Sequence, residues 1–250
     1  MRHIADTRLA GFGDEGAAKA YVGYVDSIQI GGLEFRGCLV EVLDQKRSLG
    51  EDGLIGPDAF QDFLVDINFP DQKLSLSPLP KTVGAAEPPL GLRSEENDPV
   101  QLHDRYIAPE MQTYERFYRF DHDILVPTLV NTTANSRLFL MDTGSESMLL
   151  SVDFARQVTR VHHDDMTTVS GVSGTVKNVY IADGVDIAFP YSRLKIPVNN
   201  VTALDLSGIS NGAGTDVSGV LGFTFLWLLD IKIDYRDGLV NFSFDPHRMH

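Results

Sequence analysis

The stretch with the clearest capacity for chemistry runs from Leu138 to Leu150 and reads Leu-Phe-Leu-Met-Asp-Thr-Gly-Ser-Glu-Ser-Met-Leu-Leu. Asp142 stands directly after four apolar residues patterned as a buried strand, and Thr143-Gly144-Ser145 turn the chain immediately after it. A lone carboxylate costs free energy in such a place or is driven to protonate. A carboxyl group there therefore needs a partner, a hydrogen-bond cradle or a task, and the task open to it is proton transfer. The plainer reading is that Asp142 only starts a turn or caps a short helix. A tripeptide as short as Asp-Thr-Gly recurs by chance, so its flanks have to decide.

Other chemistry-bearing residues make weaker cases. His162-His163-Asp164-Asp165 has metal-ligand residue types, but four adjacent side chains on an extended loop do not converge on one ion, so a solvated loop is expected and no metal site is assigned. Ser145 and Ser147 lack the Gly-x-Ser-x-Gly elbow of a serine nucleophile. Gly11 to Gly16 has the glycine spacing of a dinucleotide-binding turn. No strand precedes it, and Tyr21 to Ile30 reads as a strand rather than a helix, so a hairpin tip is expected and no cofactor is implied.

Composition bounds the rest. With 250 residues, 43% of them hydrophobic, the chain is globular and can bury one large core or two smaller ones. The formal charge of −14 (21 − 35) lacks the basic footprint that nucleic acid requires. The single cysteine, Cys38, excludes an intrachain disulfide and a zinc site built from cysteines. Residues Met1 to Ala20 lack the apolar core of a signal peptide and no long apolar run suggests a membrane span, so no compartment is read.

The elements that must position Asp142 are mostly strands. The first part contains a hairpin from Ser27 to Val42, a short helix at Asp58 to Leu64, and strands at Val65 to Phe69 and Lys73 to Ser77. Residues 81 to 115, rich in proline and acid, read as a linker. The last part holds strands at Ile124 to Val130 and Arg137 to Met141, and a helix from Val152 to Val158 with Ser151 as its N-cap. A glycine-tipped hairpin follows around Gly171-Val172-Ser173-Gly174, then strands at Val185 to Phe189 and Leu194 to Val201, and a loop from Ser207 to Ser218. An apolar helix at Phe223 to Leu229 carries Trp227, expected in the core. Strands at Ile231 to Tyr235 and Leu239 to Phe244 complete the domain. Asp230 and Asp234 are expected to be solvated or turn-forming, and His247 and His250 to lie in a frayed terminus.

The chain also repeats itself. A slide of 166 residues (219 − 53) lays Gly53-Leu54-Ile55-Gly56 on Gly219-Val220-Leu221-Gly222. Without a gap it then lays Val65 to Asp71 on Ile231 to Asp237, and Leu74 to Leu76 on Val240 to Phe242. A slide of 159 (180 − 21) lays Tyr21 to Ile28 on Tyr180 to Ile187 and brings the two glycine-tipped hairpins into register. Apolar positions meet apolar positions throughout, so two copies of one β-rich unit are expected: an incomplete first copy over residues 1–80, the linker 81–115, and a complete copy over 116–250. Nothing before Gly11 matches Ile124 to Ser145, since Asp6-Thr7-Arg8 lacks both the glycine and the apolar strand.

Taken together, apolar-Asp142-Thr143-Gly144-Ser145, the hairpin at Gly171 to Gly174 and the apolar-apolar-glycine element Val220-Leu221-Gly222 resemble, in type, order and spacing, a retropepsin-like aspartic protease lobe. The chain is most similar to the two-lobed bacterial aspartyl proteases of this type. The resemblance implies a mainly β fold of acid-protease barrel lobes with few short helices. It also implies an aspartic-type endopeptidase that needs no cofactor or metal and acts on peptide or protein substrates. In such enzymes two facing aspartates share a proton and activate a water between them, because two close carboxylates cannot both ionise. Asp142 would be one of the two. The Thr143 hydroxyl would bond to the opposite lobe, Gly144 would allow a close turn, Ser145 would bond to the outer oxygen of Asp142, and Gly171, Val172, Ser173 and Gly174 would form the flap over the substrate. The sequence departs from the family in carrying one Asp-Thr-Gly where a self-sufficient enzyme has two. Either two chains pair across a two-fold axis, or further strands before Met1 complete the first lobe, or the form is an inactive protease-like module that binds peptides or dimerises.

Overall fold

The computed structural model describes residues 1–9, 16–43, 53–81, 106–120, 123–171 and 174–244. The glycine pattern at 11–16, apart from Gly16, the proline-rich residues 82–105, the flap residues Val172 and Ser173, and His247 and His250 lie outside the described residues.

The chain is mainly β with few short helices. Strands β1 (Arg2–Leu9), β2 (Ala18–Ile30) and β3 (Leu33–Leu43) form an antiparallel sheet in that order. A 3-10 turn at Pro57–Phe60 leads into the hairpin of β4 (Phe63–Asn68) and β5 (Lys73–Pro78). A second 3-10 turn, Pro109–Met111, precedes β6 (Glu115–Arg116), β7 (Tyr118–Phe120), β8 (Asp123–Val130), β9 (Arg137–Met141) and β10 (Leu149–Ser151). Helix α1 (Val152–Val158) starts where expected, with the Ser151 hydroxyl accepting the Phe154 N–H at 3.3 Å. After it come β11 (Val161–His163), the small hairpin β12 (Val169–Gly171) and β13 (Gly174–Val176), and the long strands β14 (Tyr180–Phe189) and β15 (Leu194–Leu204). Helix α2 (Ser207–Gly212), β16 (Gly219–Leu221), α3 (Phe223–Leu226), β17 (Leu229–Asp234) and β18 (Leu239–Phe244) end the fold.

Eight strands lie in the order β11-β14-β15-β10-β16-β9-β8-β7, and β14 also pairs with β8. Six of them therefore close into a barrel. Alternation explains its core: Val185, Ile187 and Phe189 of β14 point inward with Phe139, Leu150 and Val126, while intervening positions face out. The second large sheet has the order β5-β4-β17-β18-β6 and joins strands from both halves of the chain.

That sheet has a regular internal geometry. The limits of β4 and β17, of β5 and β18, and of the Pro57–Phe60 turn and α3 all differ by 166 (229 − 63, 239 − 73, 223 − 57). Hairpin register follows: Phe63 opposes Pro78, and Leu229 opposes Phe244. Where β4 meets β17 antiparallel, Asp66 lies opposite Lys232, and these two are themselves 166 apart. An approximate two-fold axis thus passes between them. Their ion pair, Oδ2 to Nζ at 3.7 Å, is exposed enough to contribute little. The long hairpins also correspond, with β2 turning into β3 through Gly31-Gly32 and β14 into β15 through the two-residue-longer turn 190–193.

Several local expectations change. The helix read at Asp58 to Leu64 is only a 3-10 turn, because Phe63 and Leu64 already pair with β5. Helix α3 is likewise one turn, since Leu229 belongs to β17. In so short a helix Phe225 and Leu226 take the core, and the i,i+4 pair Phe223 and Trp227 is left outside; Trp227, expected in the core, is 52% exposed. The loop read at Ser207 to Ser218 contains α2. Residues 106–115, read as the end of a linker, are packed chain: Ala108 and Met111 are buried against Leu239, and β6 pairs with β18.

Asp234, expected to be solvated or turn-forming, is 0% exposed and forms a turn. Its Oδ1 accepts the Asp237 N–H at 3.0 Å and closes the β17–β18 turn, while the Arg236 guanidinium stands 3.8 Å from Oδ2. Burial pushes its pKa up, against the hydrogen bond from Asp237. A raised folded-state pKa means that stability is full below the unfolded value, about 3.9, and is lost as pH rises through the folded value. Asp234→Asn keeps the acceptor and removes the charge. Its thermal midpoint is expected to lie above wild type at neutral pH, with the difference vanishing in acid.

Candidate active site

Asp142 is placed by a nonlocal arrangement of strands. β16 lies between β9 and β10, parallel to the first (Val220 opposite Leu140) and antiparallel to the second (Leu149 opposite Val220). The Asp142–Ser147 loop that joins β9 to β10 must therefore arch over the end of β16. The Asp142 N–H donates to the Leu221 carbonyl at 3.1 Å, fixing the base of the arch. On its far side the Phe223 N–H donates to Ser145 O at 2.7 Å, and the Thr224 N–H to Glu146 O at 2.9 Å. The Thr224 hydroxyl accepts the Met148 N–H at 3.2 Å. The start of α3 thus clamps the loop with three bonds.

Two glycines make this close approach possible. A Cβ on Gly219 would stand 2.3 Å from the Phe139 ring and 2.7 Å from Leu149 O. On Gly222 it would stand 2.1 Å from Ser147 O and 2.9 Å from Ser145 O. None of these four distances is attainable by a real side chain.

Within the loop the half-buried Asp142 carboxylate accepts the Gly144 N–H through Oδ1 at 2.9 Å. Burial raises its pKa, and the backbone N–H groups of Gly144 and Ser145 pull the other way. The Ser145 hydroxyl, expected on the carboxylate, donates instead to Ser147 O at 3.1 Å; the turn aims the backbone N–H, not the side chain, at Asp142. Thr143 is exposed. Gly144 faces the first half of the chain, with a Leu54 methyl 3.7 Å from where its Cβ would stand.

Gly171 and Gly174 pair across the β12–β13 hairpin, Gly174 at φ 92°. Val169 and Val176 root that hairpin on an apolar cluster containing Leu140, Leu149 and Val220, the strands on either side of the Asp142 loop. The aspartate loop and the glycine-tipped hairpin therefore share one foundation. The His162–Asp165 residues diverge: His162 Nδ1 lies 3.5 Å from Asp183, His163 Nδ1 lies 3.1 Å from Asp165, and Asp164 accepts the Met166 N–H. Among the described residues no His, Cys, Asp and Glu cluster could hold a metal, and no helix is long and apolar enough to cross a membrane. Sequence reasoning missed Thr224 and Leu54 as neighbours of the loop. Thr224 carries no local signal, but the match of Leu54 to Val220 in the 166-residue slide pointed to its neighbourhood.

No protein-family model matches the chain, and no curated protein matches it. Among solved structures the chain is similar to the EIAV protease in an inhibitor complex, at 20% identity and a TM-score of 0.25, over 40% of this chain and 96% of that one.

Proposed function

We propose that the chain provides one catalytic carboxylate, Asp142, of an aspartic endopeptidase. The observation that carries the reading is the site itself: a carboxyl at the end of a core strand, its pKa raised by burial and its Oδ1 held by a backbone N–H, in a loop held at its base by Leu221 and clamped on its far side by the start of α3. In the reaction, a carboxylate takes a proton from water as the water oxygen attacks the peptide carbonyl carbon, and a partner acid protonates the carbonyl oxygen. Collapse then breaks the C–N bond and the amine leaves protonated. Thr143, Gly144 and Ser145 shape the loop. The hairpin Gly171, Val172, Ser173, Gly174 covers the bound peptide.

The constant offset between the two halves supports their reading as related units, residues 1–80 and 116–250, joined through 81–115. No charged group among the described residues acts on the Asp142 carboxyl. The reading therefore requires a partner acid from outside the described residues. The same observation favours the second reading, a peptide-binding module without turnover. The deciding experiment is hydrolysis of an unfolded protein between acid and neutral pH, with the chain alone and with a peptide copying residues 137–151 added, using Asp142→Asn as control. Turnover that survives the substitution, or none in any arm, would overturn the endopeptidase reading.

A further inference from the structure

Two stretches that match under the repeat differ sharply in their surroundings. Val220 and Leu221 of β16 are 0% exposed between β9 and β10, whereas Leu54 and Ile55, 166 residues earlier, are 70% and 54% exposed. The glycines sharpen the contrast. Gly219 has to be glycine because β9 and β10 flank it. A Cβ on Gly53 would meet nothing within 4 Å among the described residues, and its φ lies outside the left-handed region. Neither space nor backbone conformation explains a glycine at 53.

A neighbouring edge is open as well. In the barrel, β10 fills the space between β15 and β16, pairing parallel with Thr202, Ala203 and Leu204. The long hairpins bring Glu41, Val42 and Leu43 of β3 to the matching place (202 − 161, with 161 = 194 − 33). Among the described residues β3 has β2 as its sole neighbour, and this edge is unpaired among them. Val40, Val42 and Leu43 are only half-buried where Val201, Ala203 and Leu204 are buried.

We propose that the slot between the free edge of β3 at 41–43 and Gly53-Leu54-Ile55 is a docking site for an extended segment of a partner polypeptide: an apolar strand, an aspartate-containing tight turn, and a second apolar strand. The first strand adds parallel to 53–55 on the side away from β3, and the second lies between 53–55 and β3, as β9 and β10 flank β16 in the barrel. Barrel register sets the positions, as Phe139, Leu140 and Met141 oppose Gly219, Val220 and Leu221 and Asp142 follows. The partner's acidic residue therefore follows directly after the residue that opposes Ile55. A second copy of the chain is a poor donor, because Phe139 and Leu150 of its own segment are fully buried in its own barrel. The slot is continuous with the contact between the halves, since Leu54 already lies against Gly144 of the Asp142 loop. Only the placing of the acidic residue rests on the endopeptidase reading; the slot rests on the match of 41–43 to 202–204 and of 53–55 to 219–221 and on the exposure of Leu54 and Ile55.

The test is binding rather than turnover. A fluorescent peptide copying residues 137–151, the segment that fills the matching slot, is titrated against the full chain and followed by anisotropy. Saturable binding is expected. Gly53→Val should bind at least about tenfold more weakly, because its side chain occupies the space the incoming strand needs. The thermal midpoint of Gly53→Val alone should equal that of wild type. Equal affinity for both chains, no saturable binding, or a lowered midpoint for Gly53→Val would each overturn the proposal. So would a dimer in sedimentation that Gly53→Val dissociates, which would put a second copy in the slot. Binding without hydrolysis would sink the endopeptidase reading and leave the docking site standing.

Discussion

Gly222→Ala is expected to destabilise the chain by about 3 kcal/mol or more, read as a fall in the urea midpoint at unchanged slope. Backbone conformation is not the cause, because Gly222 sits at φ −85° and ψ 178°, which alanine adopts freely. The cost is steric. The new methyl would stand 2.1 Å from Ser147 O and 2.5 Å from its carbonyl carbon, both backbone atoms. Relief requires the arch and the start of α3 to separate. That motion stretches the Phe223-to-Ser145 and Thr224-to-Glu146 hydrogen bonds and lifts the loop from Leu221. Gly208→Ala is the control: it lies inside α2 with nothing within 4 Å of the added carbon, and helix propensity predicts a gain of about 0.5–1 kcal/mol. A Gly222→Ala loss no larger than an ordinary surface change would mean that the arch is looser than its contacts imply.

What the sequence made legible, and what it hid, follows from the range of the interactions involved. The strand before Asp142, the cap at Ser151 and the 166-residue offset are local or self-referential signals, and each has its counterpart in element limits or a hydrogen bond. The insertion of β16 between β9 and β10 is a pairing of segments about 70–80 residues apart, and periodicity is silent on that. Helix α2 was read as a loop because Ser207-Gly-Ile-Ser-Asn-Gly212 has almost no helix propensity. It is held instead by side-chain bonds from its flanks: Asp205 accepts the Ser207 N–H at 2.8 Å, and the Ser210 hydroxyl accepts the Val217 N–H at 3.0 Å. Trp227 was misplaced for a related reason. Hydrophobicity gives the average burial of a residue type, whereas the single turn of α3, ended by β17 at Leu229, decides which side Trp227 occupies. At the site the loop residues were legible, but the hydrogen bonds were not, since the choice of Ser145 between Asp142 and Ser147 is made by the conformation of the turn rather than by residue type.

Asp142→Asn is expected to separate chemistry from folding in one substitution. If Asp142 moves a proton in the reaction, the neutral amide removes that capacity. Turnover should then fall by at least about a thousandfold, within the span that general acid–base groups contribute. Stability should move the other way. Burial raises the folded-state pKa of Asp142 above its unfolded value, so its contribution to stability is full below about pH 3.9 and is lost as pH rises through the folded value. Asparagine has no charge to bury and keeps an oxygen for the Gly144 N–H, so the melting midpoint should rise at neutral pH and match wild type in acid. A purely structural carboxylate would behave differently: one that held the loop through its charge would lose midpoint at neutral pH on substitution, and any loss of activity would track unfolding. Loss of turnover together with a raised neutral-pH midpoint is the joint result that a strained catalytic carboxyl predicts, because the cost of burying the charge is what keeps the group ready to accept and release a proton.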